Sequence, residues 1–74
     1  MMLQGTQETM LKGVATSQIH GETYYDILYG LGGGERGTAR VSREVIYPDP
    51  QAGDRVMLHF LMGMVTRVEK KVGG

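Results

Sequence analysis

Short segments in which apolar and polar residues alternate, each bounded by glycine or proline, dominate the chain. Such alternation is typical of β-strands that bury one face. Apolar positions at helical spacing are everywhere interrupted by a glycine or by a β-branched run. The pattern therefore predicts five short strands, at residues 9–17, 22–29, 38–46, 55–61 and 64–69.

Turn-forming residues separate these predicted strands. We expect His20-Gly21 to form a tight hairpin turn and Gly63 to place another, whereas residues 30–37 should interrupt regular structure. Pro48 and Pro50 exclude a central strand between the third and fourth strands, because proline cannot donate to a ladder. Short strands with frequent turns predict an all-β fold, a small five-stranded antiparallel barrel or curled sheet that is either OB-like or SH3-like.

The length of 74 residues is sufficient for one domain with a thin core. We divide the chain into an extended N-terminal arm at residues 1–8, a β-barrel domain at 9–69 and a C-terminal tail at 70–74. Strand alternation assigns a set of apolar residues to the core: Tyr25, Ile27, Tyr29, Ala39, Val41, Val45, Val56, Leu58, Phe60, Met64 and Val68.

Several apolar side chains remain after this core is filled, and we expect them to form a contact surface. On the predicted strands these are Tyr24, Leu28, Met57, Leu61 and Val65. The arm adds Met1, Met2 and Leu3. The alternative is that the sheet flattens and buries some of these residues in a two-sided core.

Charge and composition narrow the classes of partner. Eight basic and eight acidic residues give a net charge of zero, which argues against a broad electrostatic field for nucleic acid or a membrane surface. The chain has no cysteine, so disulfides and thiolate metal sites are excluded. Its longest apolar stretch, residues 56–65, is about half the ~20 residues of a membrane helix, and no export signal is recognised.

Candidate chemistry is sparse. Residues 32–37 match G-x-G-x-x-G, but a strand pattern rather than a helix follows them, so we interpret them as a flexible loop. His20 and His59 lack the ligand spacing of metal motifs. No nucleophile–base set is recognised, so we expect no catalytic activity, no metal and no cofactor.

Nucleic-acid binding is the alternative interpretation. Three arginines near the third strand, Arg36, Arg40 and Arg43, together with Tyr24 or Tyr47, have the residue types of a single-strand-binding barrel. Glu35 and Glu44 interleave with these arginines and weaken the interpretation.

The segment from Pro48 to Glu69 places Gly-Asp before an alternating strand and a returning hairpin. It resembles segments of small β-barrel proteins in tailed-bacteriophage virions. It is also similar to the small chaperone of nickel–iron hydrogenase maturation, but that family acts through a cysteine next to the initiator methionine, and Met2 stands there in this chain. The resemblance transfers no catalytic or binding residue.

These observations lead to one functional hypothesis. We expect a non-catalytic structural protein that acts in multiple copies in a larger particle, such as a capsid decoration or head–tail or baseplate barrel of a phage virion assembled in the host cytoplasm. Its partners would be its own copies or other subunits of the assembly, because binding between folded subunits stabilises a thin core.

Overall fold

The computed structural model describes residues 4–72, which form five antiparallel β-strands in one sheet. The strands are β1 (Gln4–Ile19), β2 (Glu22–Gly30), β3 (Arg36–Ser42), β4 (Arg55–Leu61) and β5 (Met64–Lys70). The prediction of an all-β fold is confirmed. The prediction of a turn at His20-Gly21 is confirmed, and the loop after β2 holds only a short 3₁₀ turn, Gly32–Gly34. No helix within residues 4–72 is long and apolar enough to cross a membrane.

The sheet has the strand order β3-β2-β1-β4-β5. Strands β1, β2 and β3 follow one another through hairpins, and β4 then returns to lie beside β1, which is a Greek-key connection. OB folds are five-stranded Greek-key barrels, so the order corresponds to the OB-like alternative. Within the described residues no ladder joins β3 to β5, so the structure is the curled sheet and not a closed barrel.

Strand β1 is longer than predicted because it pairs with different strands along its two halves. Residues 4–10 pair with β4, whereas Leu11 to Ile19 pair with β2. The predicted arm was therefore wrong for residues 4–8, which belong to the sheet. The inward positions of this half of β1 include Gln7 and Thr9, which lie opposite Leu58 and Val56. Because these inward residues are polar, the sequence here does not show the alternation of apolar and polar residues that predicts a strand. The predicted arm residues Met1, Met2 and Leu3 lie outside the described part of the chain.

Leu11 lies where β1 changes partners and is fully buried. Its N–H donates to the Asp54 carbonyl at 2.9 Å, and its own carbonyl accepts from the Gly53 N–H at 2.7 Å. On the other side Leu11 pairs with Tyr29 of β2, and the ladder shifts register before Gly13. This residue therefore holds both halves of the sheet together, although the predicted core omitted it.

The core fills the inner face of the curled sheet. The buried apolar residues are Leu11, Ile27, Tyr29, Val41, Ile46, Val56, Leu58 and Val68. Of the predicted core residues, Tyr25, Ala39, Val45 and Phe60 are partly buried and pack against this cluster. The prediction that Met64 belongs to the core was wrong, because its side chain is exposed.

The third strand ends earlier than predicted. The Val45 N–H donates to the Ser42 carbonyl at 3.1 Å, which turns the chain away from β3. Ile46 then forms an isolated parallel bridge with Val68, whose N–H donates to the Val45 carbonyl at 2.7 Å. This segment closes one end of the gap between β3 and β5. At the C-terminus, Lys70 pairs with Val56, so this residue of the predicted tail belongs to β5.

A candidate assembly surface at the β4–β5 turn

Three large apolar side chains are exposed around the two-residue turn that joins β4 to β5. We call residues 61–64 the tip. The exposed fractions are 52% for Leu61, 79% for Met62 and 70% for Met64. Leu61 and Met64 are ladder partners, so all three side chains belong to one small area. A concentration of exposed apolar surface of this kind marks a contact site more often than scattered apolar residues do.

The backbone of the tip is unusual for the residue it carries. Met62 has φ 53° and Gly63 has φ 79°, nearly the same pair of values as His20 (50°) and Gly21 (80°) in the β1–β2 turn. Both turns therefore have the positive φ angles that two-residue type I′ hairpins require. Histidine, asparagine and aspartate are the non-glycine residues enriched at such angles, and methionine is not. Met62 bears this backbone cost without being buried in its own chain.

A groove of about 240 Å³ lies beside the tip, between the facing edges of β3 and β5. Its lining includes Tyr29, Ala39 and Val65 from the inner face of the sheet and Met64 from the tip. No ladder joins β3 to β5 among the described residues, and the facing edge of β5 is bridged only at Val68, by Ile46. Unpaired strand edges accept further strands, so the tip adjoins backbone that can pair with another chain.

The Tyr29 ring, which lines this groove, is held in place by Gly37 and Phe60. Gly37 is the ladder partner of Tyr29, and a Cβ at position 37 would lie 2.5 Å from the Tyr29 ring, so a larger residue there would displace the ring. The Tyr29 ring meets Phe60 edge to face, with centroids 6.3 Å apart. Burial raises the pKa of Tyr29. The groove is therefore set by packed side chains rather than by a mobile loop.

Of the five strand residues predicted to form a contact surface, only Leu61 is exposed. Leu61 is in the tip, but Tyr24, Leu28 and Met57 are half-buried. Tyr24 and Leu28 lie beside the C-terminal half of β1, whereas Met57 and Leu61 lie beside its N-terminal half. These four residues are therefore spread along the outer face and do not form a single patch.

The prediction that Val65 points outward was wrong, because its side chain packs against the core. The ladder between β4 and β5 shifts register so that His59 pairs with Arg67 and Phe60 pairs with Val65. The extra residue, Thr66, moves the inward positions of β5 to Val65 and Val68. This bulge also explains why Met64 is exposed. Because the bulge cannot be recognised from local alternation, the sequence did not predict the tip.

The outer face also carries ion pairs and polar hydrogen bonds. Asp26 accepts from Arg40 Nε and from Ser17 Oγ, each at 2.7 Å, which joins three strands. The hydrogen bond from Arg40 lowers the pKa of Asp26. Glu8 lies 3.4 Å from both Lys71 and Arg55, and the nearby Lys71 ammonium lowers its pKa. These pairs make the outer face a solvated surface on either side of β1.

The arginines of the nucleic-acid hypothesis are not gathered into one groove. Arg40 is paired with Asp26. Arg36 begins β3 and Arg43 follows its last residue, so a strand length of about 23 Å separates them.

The tyrosines of that hypothesis are also engaged within the chain. Tyr47 is half-buried and donates to Asp54 Oδ2 at 2.7 Å, with Lys70 Nζ 5.8 Å from its ring centre. Burial and the Asp54 carboxylate raise the pKa of Tyr47. Tyr24 donates to Glu22 at 3.2 Å. The structure thus does not bring a stacking platform and a basic groove together.

The histidines lie on separate elements. His59 Nε2 is 2.6 Å from Glu69 Oε1 on the outer face, and this hydrogen bond lowers the pKa of Glu69. His20 lies in the β1–β2 turn. Across residues 4–72 no three histidine, aspartate or glutamate side chains are arranged to hold a metal ion. After the glycine-rich loop the chain enters β3 rather than a helix.

Comparison of the chain with models of known protein families, with curated proteins and with solved structures finds no match. Fold and geometry therefore carry the functional argument.

Proposed function

We propose that this chain is a non-catalytic structural subunit that acts in multiple copies within a larger particle, and that its copies meet through the tip. The carrying observation is that Leu61, Met62 and Met64 are exposed together at one turn, with Met62 in a backbone conformation that disfavours it. Residues held in such conformations tend to serve a function, because the single chain gains nothing from them.

The size of the tip favours many weak contacts over one strong contact. Burying one such side chain stabilises a complex by ~1.5–3 kcal/mol before the costs of association are subtracted. A stable two-partner interface buries about 800 Å² on each side, which is more than three side chains supply. Weak contacts become effective when many copies are held together, since each further contact is then intramolecular.

For the particle itself, we propose the virion of a tailed bacteriophage, in which the chain would be a capsid decoration or a head–tail or baseplate component. This part of the proposal is supported by the resemblance of the Pro48–Glu69 segment to small barrel proteins of such virions. Co-purification of the chain with phage particles would test it directly.

The self-association of the purified chain tests the role of the tip. Sedimentation velocity over a series of protein concentrations up to the high micromolar range should show self-association of the wild-type chain. The double variant Leu61→Thr and Met64→Thr keeps a strand-forming residue at each position and should shift this association to at least about tenfold higher concentration.

The matched control is Met10→Thr, which changes an exposed methionine on the outer face of β1, away from the tip. It should leave association unchanged. A wild-type chain that stays monomeric throughout, or a Met10→Thr chain that loses association to the same degree, would overturn the role of the tip.

A further inference from the structure

The tip carries two thioether sulfurs that are open to solvent. Met62 and Met64 are exposed by 79% and 70%, whereas Met10 is exposed by 41% and Met57 is half-buried. Reaction of a methionine with a peroxide requires the oxidant to reach the sulfur, so exposure ranks these four residues for oxidation. The ranking places the two most reactive of them in the proposed contact surface.

We propose that Met62 and Met64 form a reversible oxidation site for hydrogen peroxide, and that their oxidation switches off contact through the tip. The effect on contact rests on the proposed function above, whereas the oxidation site itself does not. Sulfoxides are polar, so two oxidised methionines replace an apolar area by a hydrated one. Leu61 alone then remains apolar in the tip.

The chemistry balances without a cofactor. The thioether sulfur donates an electron pair to one peroxide oxygen, the O–O bond breaks, and the sulfoxide forms with release of one water molecule. Sulfur is oxidised by two electrons and the peroxide is reduced. Methionine sulfoxide reductases reverse the step with a dithiol, which becomes a disulfide as the oxygen leaves as water.

The fold tolerates this change because both side chains lie outside the core. Neither Met62 nor Met64 belongs to the buried cluster or to the residues packed on it. Oxidation in a core disrupts packing, but oxidation at the tip should leave the monomer folded. The two effects can therefore be separated experimentally.

Peptide mapping after timed exposure of the full chain to hydrogen peroxide tests the site. Cleavage after Arg55 and Arg67 releases residues 56–67, which hold Met57, Met62 and Met64 in one peptide. Fragment masses from that peptide should show Met62 and Met64 oxidising at least about fivefold faster than Met57, with Met10 intermediate. Equal rates at Met57 and the tip would overturn the site.

Sedimentation of the oxidised chain tests the switch. Peroxide should abolish association of the wild-type chain, and methionine sulfoxide reductase with dithiothreitol should restore it. The variant Met62→Leu with Met64→Leu keeps the tip apolar without oxidisable sulfur, so it should associate equally with and without peroxide. The matched control Met10→Leu should remain sensitive.

Loss of association in the Met62→Leu, Met64→Leu chain on oxidation would overturn the switch. If the untreated wild-type chain does not associate at all, both the proposed function and the switch are wrong. The oxidation site is then still tested by the relative oxidation rates of Met62, Met64 and Met57.

Discussion

Met62 has a backbone conformation that is unfavourable for its residue type, at a position that we propose for contact between copies. The β1–β2 turn solves the same backbone problem with His20-Gly21, at nearly the same φ angles. A non-glycine residue in a sparsely populated backbone region costs about 1–3 kcal/mol, and asparagine bears less of this cost than other side chains do. The two turns thus compare one geometry with two different side chains.

We expect Met62→Asn to raise the stability of the monomer and to weaken its association. Asn-Gly is the preferred sequence of a type I′ turn, so the free energy of unfolding should rise by about 0.5–1 kcal/mol. Urea unfolding at low protein concentration measures this change. As control, His20→Asn should change stability by less, because histidine already tolerates the left-handed region. A destabilised Met62→Asn chain would show that Met62 is packed within its own subunit.

At the scale of elements, β1 connects the two halves of the sheet. Its first residues pair with β4, and Gln7 lies opposite the fully buried Leu58 in this ladder. Gly53, Asp54 and Leu11 then continue the contact through backbone hydrogen bonds. The beginning of β1 is therefore part of the fold rather than an accessory arm.

Two truncations test this assignment. Deleting residues 2–8 removes the ladder partners of residues 57–60 together with that of Leu61, and should lower the free energy of unfolding by about 2–4 kcal/mol. Deleting residues 2–3 keeps every described pair and should leave the monomer melt nearly unchanged. Circular dichroism during urea titration measures both. Matching stabilities of the two truncated chains would contradict the pairing of residues 4–8 with β4.

At the scale of the whole molecule, carboxylates near the surface form hydrogen bonds within the loop before β4 and ion pairs between strands. Asp54 accepts from the Tyr47 hydroxyl and from the Gln51 N–H, and the Tyr47 hydrogen bond lowers the pKa of Asp54. Glu8, Asp26 and Glu69 also have lowered pKa values because of neighbouring Lys71, Arg40 and His59.

Acid should therefore destabilise the protein. A carboxylate with a lowered pKa in the folded state stabilises that state above its ordinary pKa, 4.5 for glutamate or 3.8 for aspartate, and loses this contribution as pH falls through the lowered value. We expect the urea midpoint to fall steadily below about pH 4.5. In Asp26→Asn the midpoint should be lower at neutral pH, and its difference from wild type should shrink as the pH falls. If the difference in urea midpoint between the two proteins did not change with pH, the ionised Asp26 side chain would not contribute to stability.

Local patterns determined the parts of this protein that depend on neighbours in sequence. Strand β4 has the predicted bounds, because glycines stand near both ends and Val56, Leu58 and Phe60 alternate strictly between them. The hairpin turns at Gly21 and Gly63 followed from the conformational freedom of glycine. Balanced charge and the absence of cysteine were likewise read directly from composition.

Only the tertiary structure decided where strands change partner or phase. Leu11 is buried because β2 and β4 meet there, and Ile46 is buried because its segment bridges to Val68. The bulge at Thr66 turns Val65 inward and leaves Met64 exposed, and so creates the tip. A one-residue shift reverses every side chain beyond it, and such shifts are set by pairing with distant residues. Local alternation could therefore predict that β5 exists, but not which of its faces meets the solvent.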